Sequence, residues 1–159
     1  VIQEDTIVCK NFPLAVERIA EAKNDPVCLF VSWLPNAIVY DIRKAWPKGE
    51  QYVVARPAKF IPAVAILWPL EAAERFLEWA ESGVRLPGYP DQVRSDDACL
   101  AEWVKRKRAT FLVTTTSLVE HPDNVDSVKG RNNAAWGKDR GRRALNFIGE
   151  QDPLELDWA

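Results

Sequence analysis

Two apolar patterns alternate along this chain. One is the short, nearly continuous run, and the other repeats at helical spacing. Residues 27–33, Val27-Cys28-Leu29-Phe30-Val31-Ser32-Trp33, form the clearest run. Its length and β-branching predict a strand buried on both faces. Similar runs at 52–55, 61–68 and 111–115 predict further strands, with Pro62 demoting the start of the second to an edge or bulge. Val1-Ile2 and Thr6-Ile7-Val8-Cys9 are β-rich and flank an acidic pair, Glu4-Asp5.

Helical spacing occupies the stretches between. Phe12, Val16, Ile19 and Ala20 share one face of a helix predicted over 12–23, with Asn11 as its N-cap. Leu70, Ala73, Phe76, Leu77 and Ala80 do the same from Pro69 to Ser82, and Gly83 ends that helix. Ser95 is a suitable N-cap for a third helix over 96–108, which places Asp96 and Asp97 in its first turn, where the helix dipole favours negative charge. Residues 34–50 carry Pro35, Pro47 and Gly49 and read as a loop with one helical turn. Residues 120–143 are polar and turn-rich, and 150–159 read as a loosely held acidic tail. Strands alternating with helices predict an α/β domain over 1–149, with a single mixed, mostly parallel sheet flanked by helices.

Composition changes this picture in few places. The chain has 159 residues, enough for one domain with a core, and a formal charge of −2 that gives no overall push toward nucleic acid or membrane. No apolar run reaches the length of a membrane span, and the amino end lacks a signal-peptide pattern. Cys9, Cys28 and Cys99 are odd in number and lack metal-ligand spacing, so buried free thiols in a reducing cytoplasm are expected. Seven Trp is high, and Met is absent even at position 1. That absence, and a start in the middle of a strand pattern, lead us to expect further sequence before Val1.

Four groups carry candidate chemistry. Glu4 and Asp5 interrupt β-rich sequence, where an unpaired carboxylate is costly. They suit a divalent cation, Mn²⁺ or Mg²⁺, although a polar strand end or turn is the plainer reading of an acidic pair. Asp97 or Asp96 could act as general base toward an acceptor hydroxyl, against the plain reading of acids that stabilise a first turn. His121, the only histidine, could be a metal ligand, a phosphate donor or an ordinary surface residue. A basic stretch over 129–143 contains Lys129, Arg131, Trp136, Lys138 and Arg140. Its cations could cover a nucleotide diphosphate or contact nucleic acid, with Trp136 stacking on a base or sugar. Its plain reading is a solvated basic face.

The order of these motifs resembles the GT-A glycosyltransferases, and in particular the lipopolysaccharide-type glycosyltransferase family 25. Val1-Ile2-Gln3-Glu4-Asp5 is similar to the family's "ILEDD" strand end. The segment from Phe60 to Pro69, leading into Glu71-Ala72-Ala73-Glu74-Arg75-Phe76-Leu77, resembles the run into a helix beside the acceptor site. Ser95-Asp96-Asp97-Ala98-Cys99-Leu100 resembles its acidic helix start, and Ser117-Leu118-Val119-Glu120-His121, with Ser127 following, its closing segment. Thr116 stands where the family pattern has Pro. The resemblance covers residues 1 to about 131 and implies a GT-A-like domain without its amino-terminal third. It further implies Asp5, Glu4 and His121 at a metal, Asp97 or Asp96 as base, a nucleotide-sugar donor, and a partner or second copy completing the donor pocket. The acceptor stays open between saccharide, protein and modified nucleic-acid bases. A non-catalytic nucleic-acid-binding protein of the same fold is the alternative.

Overall fold

The computed structural model describes residues 1–2, 6–32, 37–55, 64–83, 96–121 and 143–159. The described strands are β1 (Ile7–Val8), β2 (Val27–Cys28), β3 (Tyr52–Val54), β4 (Ile66–Leu67), β5 (Leu112–Thr114) and β6 (Val119–Glu120). The helices are α1 (Phe12–Ala22), α2 (Ala37–Ala45), α3 (Leu70–Glu81) and α4 (Asp96–Lys107).

Four strands form a sheet in the order β3-β5-β2-β4, and β1 and β6 form a separate antiparallel pair. This is the mixed sheet with flanking helices that the sequence predicts, but it is not mostly parallel. Only β2 and β5 run parallel, while β2–β4 and β3–β5 are antiparallel. Strands this short carry too little alternation to distinguish the two arrangements.

Beyond β2 the chain runs on to Val31, held by Leu29 N–H to the Ala65 carbonyl and by Leu118 N–H to the Leu29 carbonyl, both at 2.9 Å. All five residues of the 27–31 run are buried, as a central strand requires. α1 lays Phe12, Ala15 and Ile19 into the core, and α4 contributes Leu100, Trp103 and Val104. Trp68, Phe76, Trp79, Trp103 and Phe111 form one aromatic cluster, with ring centroids 5.1–6.2 Å apart in tilted, stacked and edge-on pairs. Trp68, Trp79 and Trp103, three of the seven tryptophans, are fixed in this cluster by tilted, stacked and edge-to-face ring packing.

Several expectations change. Residues 37–45 are a full helix where a loop was expected, and Ile38, Val39, Ile42 and Ala45 are its buried face. Asn11 sits in the left-handed region at φ 51° and makes no side-chain cap on α1. Its Nδ2 instead donates to Asp152 Oδ2 at 3.0 Å. The segment from Glu150 onward is not loosely held. Pro153 and Trp158 are buried there, and Trp158 Nε1 donates to the Pro153 carbonyl at 2.8 Å. Tyr52 O–H donates to the Trp158 carbonyl at 3.1 Å, and the two rings meet edge-on. Arg18 Nη1 reaches the Leu154 carbonyl at 2.7 Å. No described helix is long and apolar enough to cross a membrane.

Candidate functional site

In a sheet with a parallel pair, ligands commonly bind beyond the carboxyl ends of its strands. Here that region lies past Val31 on β2 and past Thr114 on β5, and it is lined by a polar run that is buried. Ser32, Thr114, Thr115, Thr116, Ser117 and His121 are all buried. Burying hydroxyls without partners is costly, so most of these groups are committed to hydrogen bonds. Thr114 Oγ1 donates to the Cys28 carbonyl at 3.3 Å, and Thr115 Oγ1 donates to the Glu50 carbonyl at 2.6 Å. Ser117 Oγ accepts from Val31 N–H at 3.1 Å. The run fastens β5 to β2 and to the segment before β3.

The chain re-enters this region at Arg143. Ala144 bridges Ser32 in antiparallel sense, and Phe147 bridges Ser117 in parallel sense. Leu145 N–H donates to the Val31 carbonyl at 2.8 Å, and Ile148 N–H to the Ser117 carbonyl at 3.1 Å. Asn146 Nδ2 donates to the Thr115 carbonyl, while Asn146 Oδ1 is buried with no hydrogen-bond partner among the described residues. The 143–148 segment thus covers the ends of β2 and β5.

His121 follows β6 directly and is only 8% exposed, so the reading of it as an ordinary surface histidine falls. Its backbone N–H donates to Glu120 Oε1 at 2.9 Å. The same carboxylate oxygen accepts from Ala144 N–H at 2.7 Å. β6 pairs with β1 so that Ile7 faces Glu120 and Val8 faces Val119. The antiparallel register brings the start of β1 and the end of β6 to the same end of this ribbon.

Asp96 and Asp97 open α4, as the sequence predicts. Their side chains lie outside the described set, as do Glu4, Asp5, Lys129, Arg131, Trp136, Lys138 and Arg140. Among the described residues, no group of three or more His, Cys, Asp or Glu side chains could hold a metal ion. The sequence reading missed Glu120 as a separate actor and missed Asn146 altogether. The only signal for Glu120 was its place beside the lone histidine, and nothing in the local pattern marked Asn146.

Two groups near the carboxyl-terminal segment are electrostatically displaced. Burial pushes the Cys9 thiol up to about 11, offset by a hydrogen bond to its own backbone and reinforced by the Asp152 charge. Hydrogen bonds from Leu154 N–H and the Asn11 amide hold the Asp152 carboxyl below its usual range. Neither group adjoins the polar run at the strand ends in sequence, and an elevated thiol is a poor nucleophile at neutral pH.

No protein-family model, curated protein or solved structure matches this chain.

Proposed function

We propose that the chain is a metal-dependent glycosyltransferase domain of GT-A-like fold, or the carboxyl-terminal part of one, acting on a nucleotide-sugar donor and an acceptor hydroxyl. The observation that carries this reading is the β1–β6 pairing. Glu4-Asp5 precedes β1 by the single residue Thr6, and His121 follows β6 at once. The ribbon sets Ile7, two positions after Asp5 in sequence, opposite Glu120, the residue before His121, and this supports a shared site. Carboxylate oxygen and imidazole nitrogen are donors that suit Mn²⁺, and the oxygens alone suit Mg²⁺.

In this reading Asp5, with Glu4 and His121, holds the ion, whose chemistry when bound is to neutralise the departing diphosphate. Asp97, or Asp96, takes the proton of the acceptor hydroxyl. Lys129, Arg131, Lys138 and Arg140 pair with diphosphate oxygens, and Trp136 stacks on the base or sugar. None of the three cysteines is in a disulfide and two of them are buried, which supports a cytoplasmic location.

A thermal-shift screen of UDP-, GDP- and TDP-sugars with and without Mn²⁺ tests the proposal. A nucleotide at about 100 times its Kd stabilises by roughly 2.7 kcal/mol, or on the order of 5–10 °C for a domain of this size. The expected result is such a rise for one nucleotide, abolished by chelator. Chelator-insensitive oligonucleotide binding that falls steeply with salt, with no nucleotide-sugar effect, would instead establish a nucleic-acid-binding protein.

A further inference from the structure

We infer that Glu120 is the positioning residue of the candidate site, a carboxylate that sets the backbone at His121 and at the return of the chain together. The inference rests on the transferase reading for its metal and on the described geometry for everything else. One oxygen, Glu120 Oε1, accepts from two backbone N–H groups, His121 at 2.9 Å and Ala144 at 2.7 Å. Those donors are 23 positions apart in sequence and stand on either side of the stretch that ends in the basic residues.

The local sequence explains why this carboxylate is available. Side chains alternate across a strand, so Val119, fully buried, and Glu120, half-buried, take opposite faces of β6. Pairing of Glu120 with Ile7 fixes its backbone, leaving only side-chain rotation free. Ala144 is itself fixed by its bridge to Ser32 and by the following Leu145 bond to Val31. Glu120 therefore ties the end of β6 to the end of β2 through two charge-assisted bonds, which are shorter and stronger than neutral ones. Because it acts on the main chain of His121, it fixes where that residue starts and leaves the imidazole to other partners. A Gln at 120 retains an acceptor oxygen in the same place, whereas Ala has none.

Glu120→Ala and Glu120→Gln separate the possibilities in the full chain, with amide hydrogen exchange and Mn²⁺ titration as readouts. In Glu120→Ala the His121 and Ala144 amides exchange at least tenfold faster together. The Leu118 and Leu145 amides, bonded to Leu29 and Val31, keep their protection. Mn²⁺ affinity falls about fivefold or more in Glu120→Ala and returns to within about twofold of wild type in Glu120→Gln. Loss of affinity in both variants overturns the inference, because it makes the carboxylate a ligand in its own right. Unchanged exchange at either amide overturns it as well, as does wild-type Mn²⁺ affinity in Glu120→Ala. Wild-type protein that takes up no Mn²⁺ overturns the transferase reading, and with it the positioning role. Wild-type uptake with an indifferent Glu120→Ala overturns the positioning role alone. Should Glu120→Ala fail to fold, Glu120→Asp serves in its place, since the shorter side chain cannot span both donors.

Discussion

Trp158→Ala is the sharpest test of how the carboxyl-terminal segment is held. Its indole is 3% exposed, although it lies one residue from the end of the chain. Truncating a buried Trp or Phe to Ala costs about 3–5 kcal/mol, from lost transfer energy and the cavity left behind. Two contacts push this site to the upper part of that range. The Nε1 bond to the Pro153 carbonyl at 2.8 Å is lost, and so is the edge-on contact with Tyr52 at 5.9 Å. We expect about 4–5 kcal/mol, a large share of the roughly 5–15 kcal/mol typical of a domain. At about 2–4 °C per kcal/mol, Tm falls by roughly 8–20 °C. Trp158→Phe keeps a ring against Tyr52 without the N–H and should lose about 1–2 kcal/mol. Urea unfolding followed by circular dichroism measures both. Wild-type stability to within about 1 kcal/mol in Trp158→Ala would show that this end is not part of the core, and the reasoning would fail.

Other outcomes follow from single features. The Cys9 thiol is raised from 9.0 to about 11, and burial with the nearby Asp157 charge pushes the Tyr52 phenol up from 10.0. Both lose their protons earlier in the unfolded chain, so stability is complete below pH 9 and declines as pH rises from 9 to 11. Cys9 contributes part of that decline, and Cys9→Ala should flatten the slope of stability against pH in this window. Arg108 follows α4 with φ at 49°, so Arg108→Gly should raise stability by about 0.5–1 kcal/mol in urea unfolding. A loss of stability there would mean the left-handed backbone carries no strain. Under the proposed function, Asp5→Ala and Asp97→Ala each lower sugar transfer by about 10²-fold or more while Tm stays within a few degrees. Unchanged turnover in either would remove that residue from its role.

Long periodic segments were legible in the sequence, and short or tertiary ones were not. The helices at Phe12–Ala22, Leu70–Glu81 and Asp96–Lys107 lie within a residue or so of their predicted bounds, because apolar faces and flanking turns agree. α2 escaped because Pro35, Pro47 and Gly49 surround a nine-residue segment rich in β-branched residues, which have modest helix propensity. Its Ile38, Val39, Ile42 and Ala45 spacing was present but too brief to outweigh the turn signals. Asn11 had the identity of a cap, yet a partner 141 residues away took its side chain. The same holds at the candidate site. Thr114, Thr115 and Ser117 gave no hint of burial, because their acceptors and donors lie on other elements. Strand direction failed for a similar reason: pairing depends on where a two- or three-residue strand meets its neighbour, which local alternation does not encode.

The residues after Gly149 tie the chain's last segment to its first third. Asp152 meets Asn11, Leu154 meets Arg18, and Trp158 meets Tyr52, across separations of 141, 136 and 106 positions. Contacts of that span set an order of events. During synthesis α1 can form locally, but the final neighbours of α1 and of Tyr52 on β3 emerge from the ribosome more than a hundred residues later. Until then the apolar faces that Trp158 and Pro153 cover stand open to solvent and to other nascent chains. Packing of α1 and β3 is therefore completed only once residues 152–158 have been made, with the high loop-closure cost that slows non-local topologies. Chaperone dependence should fall on this late interval, and shortening the carboxyl-terminal segment should impair yield more than it alters the secondary structure of the protein that does fold.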